Sequence, residues 1–132
     1  MRIYYVSHDS ANTIILPNSM IWHNNLYLTL SKRYEVLLPK YNVQNHHVRC
    51  VYNIHNNREK DRIKFSEMLL SDIKEQHLQK KIDLFFSYFY SASILPEVID
   101  EIRALGIMTV NFYCNNIHQF DLVSEIAPHY DY

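Results

Sequence analysis

Glycine is almost missing from this chain: Gly106 is the only one in 132 residues. A dinucleotide fingerprint and a phosphate-binding P-loop each need several glycines, because backbone amides must approach phosphate oxygens with no Cβ in the way. Both are excluded. Cysteine is nearly as scarce, with Cys50 and Cys114 alone and no paired CxxC spacing, so no disulfide framework is expected and both thiols should be free and at least half-buried. No excess of either charge exists, since 13 Lys and Arg face 14 Asp and Glu for a net charge of -1, and no basic run occurs. The electrostatic footprint of a nucleic-acid binder is therefore lacking. Long hydrophobic runs are lacking too. The most apolar stretch, Ile82 to Leu95, is too short to span a bilayer, and the start MRIYYVSHDS has no signal-peptide apolar core. A cytoplasmic protein without a membrane span is the expectation.

What is present is enough apolar material for one core: hydrophobic residues make up 48% and charged residues 20%. A chain of this length buries roughly two thirds of its unfolded surface in a single domain, so residues 1–132 are read as one unit. Arg2 to Val6 predicts a strand of β-branched and aromatic residues, followed by the polar cluster Ser7 to Ser10. Pro17 and Asn18 introduce a helix to about Arg33, with Trp22, Leu26 and Leu30 on one face. Tyr34 to Leu38 predicts the second strand, closed by Pro39, and residues 40–58 a long polar loop in which Val48, Cys50 and Tyr52 suggest an edge strand. A helix from about Glu59 to Gln79 carries Phe65, Leu69 and Ile73 on one face. The nearly continuous apolar run Ile82 to Phe89 predicts a central strand covered on both sides. Pro96 starts a further helix that Gly106 ends, before a strand over Ile107 to Tyr113 and a last helix from about His118 to Ala127. Alternation of this kind predicts an α/β fold, a three-layer Rossmann-like domain with a mainly parallel sheet of about four strands.

In such sheets ligands meet the loops at the carboxyl ends of the strands. SHDSANT, residues 7 to 13, offers His8 and Asp9 as a base and its orienter, or equally an N-cap for the next turn. SYFYS, residues 87 to 91, offers tyrosine rings that stack on a sugar or base, or that merely pack. CNNIH, residues 114 to 118, offers amides and an imidazole to a polyhydroxylated ligand, or simply shapes a turn and caps a helix. His46, His47 and Cys50 give only three candidate ligands in a loop without a helical frame, so no metal site is expected, and that group reads as solvated surface. A phosphoacceptor receiver is disfavoured because the central strand ends in aromatic residues rather than Asp. A flavodoxin is disfavoured because SHDSANT has hydroxyls but no glycine.

Three ordered stretches carry a resemblance. RIYYVSHDSANTIILPNSMIWHNNLYLTL, KIDLFFSYFYSASILPEVIDEIRALGIMTVNFYCNN and HQFDLVSEIAPHYDY together resemble the amino-terminal domain of CgeB-like glycosyltransferases, a family named after a spore maturation protein. The resemblance spans nearly the whole chain except residues 40–58, and its most specific part is the order LPEVIDEIRALGI, TVNFYCNN, QFDLVSEIAPHYD. It implies the amino-terminal half of a GT-B enzyme, the side that shapes the acceptor, with nucleotide sugar as donor and no further cofactor. The donor-binding carboxy-terminal Rossmann-like domain is not within these residues, so the half alone is expected to be inactive. A stand-alone α/β binding or interaction module without catalysis is the alternative. The resemblance puts His8, Asp9 and Asn12, then Tyr88 and Tyr90, then Asn115, Asn116 and His118 at the interdomain cleft, without making any one of them catalytic; if the intact enzyme inverts at the anomeric carbon, a base on this side must deprotonate the acceptor hydroxyl, and Asp9 or His8 is the candidate. It also implies an open edge on the strand Ile107 to Tyr113 and exposed Tyr88 and Tyr90, features that favour self-association.

Overall fold

The computed structural model describes residues 1–7, 23–41, 43, 50, 56–113 and 117–132, and of Ile117 and His118 the backbone only. Four strands form one sheet: β1 (Arg2–Val6), β2 (Glu35–Leu37), β3 (Leu84–Ser87) and β4 (Met108–Asn111). Their order is β2-β1-β3-β4 and every pairing is parallel, with Tyr4 opposite Leu37 and Phe85, and Phe85 opposite Thr109. This is the Rossmann-like α/β arrangement that the sequence predicts. The apolar run at β3 lies between β1 and β4 as expected, and β1, buried at all five positions, is the other interior strand.

Successive strand residues point to opposite faces, which separates the two helical layers. Tyr4 reaches Asp72 on the long helix α2 (Arg58–Gln79), whereas Tyr5 stacks on Phe86 and approaches Tyr27 on the other side. That second layer is a π-helical turn, His23–Tyr27, running into the four-residue α1 (Leu28–Ser31). The regular helix expected to Arg33 is thus irregular where it is described. His23, Asn24, Asn25 and Thr29 are weak helix formers that compete with the backbone or lose rotamer freedom. Leu26 and Leu30 are only half-buried, and Trp22 lies outside the described residues.

The dominant core is on the α2 side. Phe65, Leu69 and Ile73 are fully buried there, and acidic Glu59 and Asp61 complement the positive end of the helix dipole. The next helix, α3 (Pro96–Ala104), begins with Pro96 in its first turn and buries Val98, Ile99 and Ile102. Gly106 then takes φ +77°, the left-handed conformation that favours glycine just past a helix end, and its amide donates to the Arg103 carbonyl at 2.8 Å.

Three expectations need correction. The last helix is instead a 3-10 turn over Ile117–Leu122, a turn through residues 123–126, and a second 3-10 turn at Ala127–His129. The Ser124 hydroxyl donates to the Asp121 carbonyl and Pro128 has no amide, so both compete with α-helical bonding; Val123 and Ile126 alone need to turn inward. Of the suspected edge strand only Cys50 is described, and its backbone is helical; with Val43 it is buried, so this part of residues 40–58 belongs to the interior rather than to a solvated surface. His46 and His47 lie outside the described residues. Finally, the β4 edge is not open. Asp131 and Tyr132 donate their amides to the Thr109 carbonyl at 3.1 and 3.2 Å, and the Asn111 amide donates to the Tyr132 carbonyl at 3.0 Å. This is parallel-strand pairing of Tyr132 with Val110. The Asp131 carboxylate also accepts from the Thr109 amide and hydroxyl, at 2.9 and 3.1 Å.

Candidate ligand site at the strand ends

Strands β1 and β3 are neighbours although β2 intervenes in sequence and lies on the far side of β1. Connections therefore leave this pair in opposite directions, which makes its carboxyl end the topological switch point, the place where open parallel sheets take their ligands. Val6 and Ser87 are in register there, and the Tyr88 amide donates to the Val6 carbonyl at 3.0 Å. Ser7 follows, buried, its hydroxyl 3.2 Å from that of Tyr5.

Past β3 the chain presents an aromatic group. Tyr88 and Tyr90 meet edge-to-face at 5.8 Å between ring centroids, Tyr90 meets Tyr113 likewise at 5.8 Å, and Tyr88 lies against Tyr113 at 6.3 Å. These offset and perpendicular arrangements satisfy the ring quadrupoles mutually. In consequence Tyr88 is only 3% exposed, which corrects the expectation of an exposed ring. Tyr90 and Tyr113 are half-buried and offer the remaining accessible aromatic surface. The 3-10 turn packs beside them: the Tyr113 hydroxyl donates to the Gln119 carbonyl, the Ser91 amide to that of Leu122, and Phe120 and Leu122 are exposed.

A partly buried polar chain adjoins the aromatic group. The Asn111 carboxamide accepts the Phe89 amide at 2.9 Å and donates to the Phe89 carbonyl at 3.1 Å, so a side chain continues the β3–β4 ladder where the backbone departs. The Asn111 oxygen can only accept, so the Ser87 hydroxyl at 2.9 Å donates to it, and the Tyr130 hydroxyl at 2.8 Å in turn donates to Ser87. Burial pushes the Tyr130 hydroxyl well above the ordinary tyrosine range and keeps it a donor, while its ring stacks on Phe85. The Ser91 hydroxyl is buried without a hydrogen-bond partner.

Of the residues expected at the site, Tyr88 and Tyr90 come together. His8, Asp9, Asn12, Asn115 and Asn116 lie outside the described residues, as does the side chain of His118. Sequence reasoning missed Tyr113, Asn111 and Tyr130. An asparagine inside the apolar run TVN was a visible signal, since a polar side chain in a covered strand must find partners. Among the described residues no three His, Cys, Asp or Glu side chains converge as a metal site would need, and no helix is long and apolar enough to cross a membrane. Comparison with known proteins finds no relative: no family model, no curated protein and no solved structure matches the chain.

Proposed function

We propose that this chain is the acceptor-side domain of a nucleotide-sugar-dependent glycosyltransferase of the GT-B type, acting in the cytoplasm with a separate Rossmann-like donor domain. The observation that carries this reading is the switch point between β1 and β3, whose two loops, 7–13 and 87–91, are stretches that the ordered motifs single out. A half-exposed pair of tyrosines, Tyr90 and Tyr113, beyond that strand end suits the apolar face of a sugar ring. If the intact enzyme inverts at the anomeric carbon, Asp9 or His8 takes the proton from the acceptor hydroxyl, the freed oxygen bonds to the anomeric carbon, and the nucleoside diphosphate leaves with the bonding pair. Asn12, Tyr90, Asn115, Asn116 and His118 line the acceptor, and Tyr88 backs Tyr90.

Enclosure of Tyr88 among its neighbours favours a second reading, a non-catalytic α/β binding module in which the tyrosines only pack. Calorimetric titration and a glycan array separate the two. The first reading expects little or no affinity for nucleotide sugars, since glycine-rich phosphate loops are lacking, and retention on acceptor glycans that Tyr90→Ala abolishes. Tight, saturable binding of a nucleotide sugar by this chain alone overturns the division of labour, and retention on no glycan favours the module.

A further inference from the structure

Asn111 touches two parts of the molecule. Its side chain holds both backbone polar groups of Phe89, in the loop that presents Tyr88 and Tyr90. Its backbone amide holds the Tyr132 carbonyl, and through Ser87 its carboxamide oxygen is linked to the Tyr130 hydroxyl. The segment 130–132 is itself pinned at a distance from the loop: Asp131 bonds Thr109 and pairs with Arg103 of α3 at 3.0 Å. We infer that Asn111 is a positioning residue that couples the seating of residues 130–132 along β4 to the conformation of the strand-end loop 88–91.

The physical basis is the rigidity of a connected polar network in which Ser87 and Tyr130 are buried and Asn111 is half-buried. The carboxamide of Asn111 has one orientation that serves Phe89 twice, and in that orientation its oxygen also faces Ser87. If Tyr132 leaves the β4 edge or the Tyr130 hydroxyl withdraws, the Asn111 amide and the buried Ser87 hydroxyl each lose a partner, and the carboxamide loses part of what fixes it toward Phe89. Seating of the segment thus sets the loop, and the loop sets the accessible aromatic surface. This coupling does not rest on the proposed reaction, because it is a property of the ligand-free chain.

The test is amide exchange and tyrosine-ring NMR on the full chain without ligand, comparing wild type with Asp131→Ala, Tyr130→Phe and Asn111→Ala. Asp131 has no bond to the loop, and Tyr130→Phe keeps the ring on Phe85 while removing only the hydroxyl, so both variants remain informative if Asn111→Ala fails to fold. The expected result is at least a tenfold faster exchange of the Phe89 amide in Asp131→Ala and Tyr130→Phe, with shifted Tyr88 and Tyr90 ring signals and unchanged exchange at Leu69 in α2. A faster Thr109 amide with unchanged Phe89 and unchanged rings overturns the coupling. So does a uniform acceleration that includes Leu69, since that reports general loosening of the core, and so does an unaltered Thr109, since Asp131 then does not hold the segment.

Discussion

The hydroxyl of Tyr4 lies 2.6 Å from a carboxylate oxygen of Asp72, in the buried layer between β1 and α2. Asp72 is 7% exposed and gathers further donors: the Gln76 carboxamide at 3.1 Å, the Lys40 amide at 3.4 Å, and the Lys40 ammonium at 3.7 Å. Burial first, and then the neighbouring Tyr41 and Asp72, push the Tyr4 hydroxyl far above the ordinary tyrosine range, so it stays protonated and donates to Asp72. A buried acid is tolerated because these donors replace water.

Tyr4→Phe removes the shortest of those donors and leaves the rest of the packing intact. A loss of about 1–3 kcal/mol of stability is expected, the usual cost of leaving a buried acceptor short of a partner. Urea denaturation measures it. In a double-mutant cycle with Asp72→Asn, the two changes should be clearly non-additive, as contacting residues are. An unchanged midpoint for Tyr4→Phe would mean that Asp72 draws its stabilisation from Lys40 and Gln76 alone.

Acid sensitivity should arise in part at Asp131. Hydrogen bonds from Thr109, and then the Arg103 guanidinium, hold its carboxyl below the ordinary aspartate value. A folded-state value below the unfolded one contributes stability that is complete above the unfolded value of about 3.9 and is lost as pH falls through the lower folded-state value. Asp131→Asn should therefore be less stable than wild type at neutral pH, with the gap closing below about pH 4. Denaturation midpoints of both proteins across pH 2 to 7 should show it, on the order of the aspartate range. A gap independent of pH would assign the effect to geometry rather than charge.

These networks show where legibility in the sequence stops. The strands, α2 and α3 were readable because each is specified locally: an apolar run at β3, Phe65, Leu69 and Ile73 at helical spacing, and Pro96 and Gly106 as start and stop signals. Residues 117–129 were misread because Val123 and Ile126 fit a helical period as well as a 3-10 turn, and the choice is made by packing and by Pro128. The switch point between β1 and β3 follows from strand order, which alternation alone leaves open. Ser87, Asn111 and Tyr130 meet only once β3 and β4 are in register, so no spacing in the chain announces them.

Cys50 should be a poor nucleophile. Burial first, and then Asp61, raise its thiol to about 11, so little thiolate forms near neutrality. In a Cys114→Ser background, alkylation by iodoacetamide at pH 7.5 is expected to be at least about tenfold slower than for an unhindered thiol of ordinary pKa, and to become fast on adding denaturant. Rapid alkylation of the folded chain would show that the segment around Cys50 opens readily.

The cap at Gly106 separates conformation from space. Its φ of +77° is one that L side chains adopt at a cost, yet a Cβ built there meets nothing within 4 Å. Any destabilisation by Gly106→Ala is therefore conformational, about 1–2 kcal/mol. Asparagine, which tolerates the left-handed region better, should cost less. A semisynthetic chain with D-alanine at this position supplies the decisive control, because a D residue favours positive φ and lowers the entropy of the unfolded chain, by about 0.4–1 kcal/mol for comparable substitutions. The expected order of denaturation midpoints is D-alanine above glycine, then asparagine, then L-alanine. If D- and L-alanine destabilise equally, the cause is the added methyl group and the open space beside Gly106 is not open in solution.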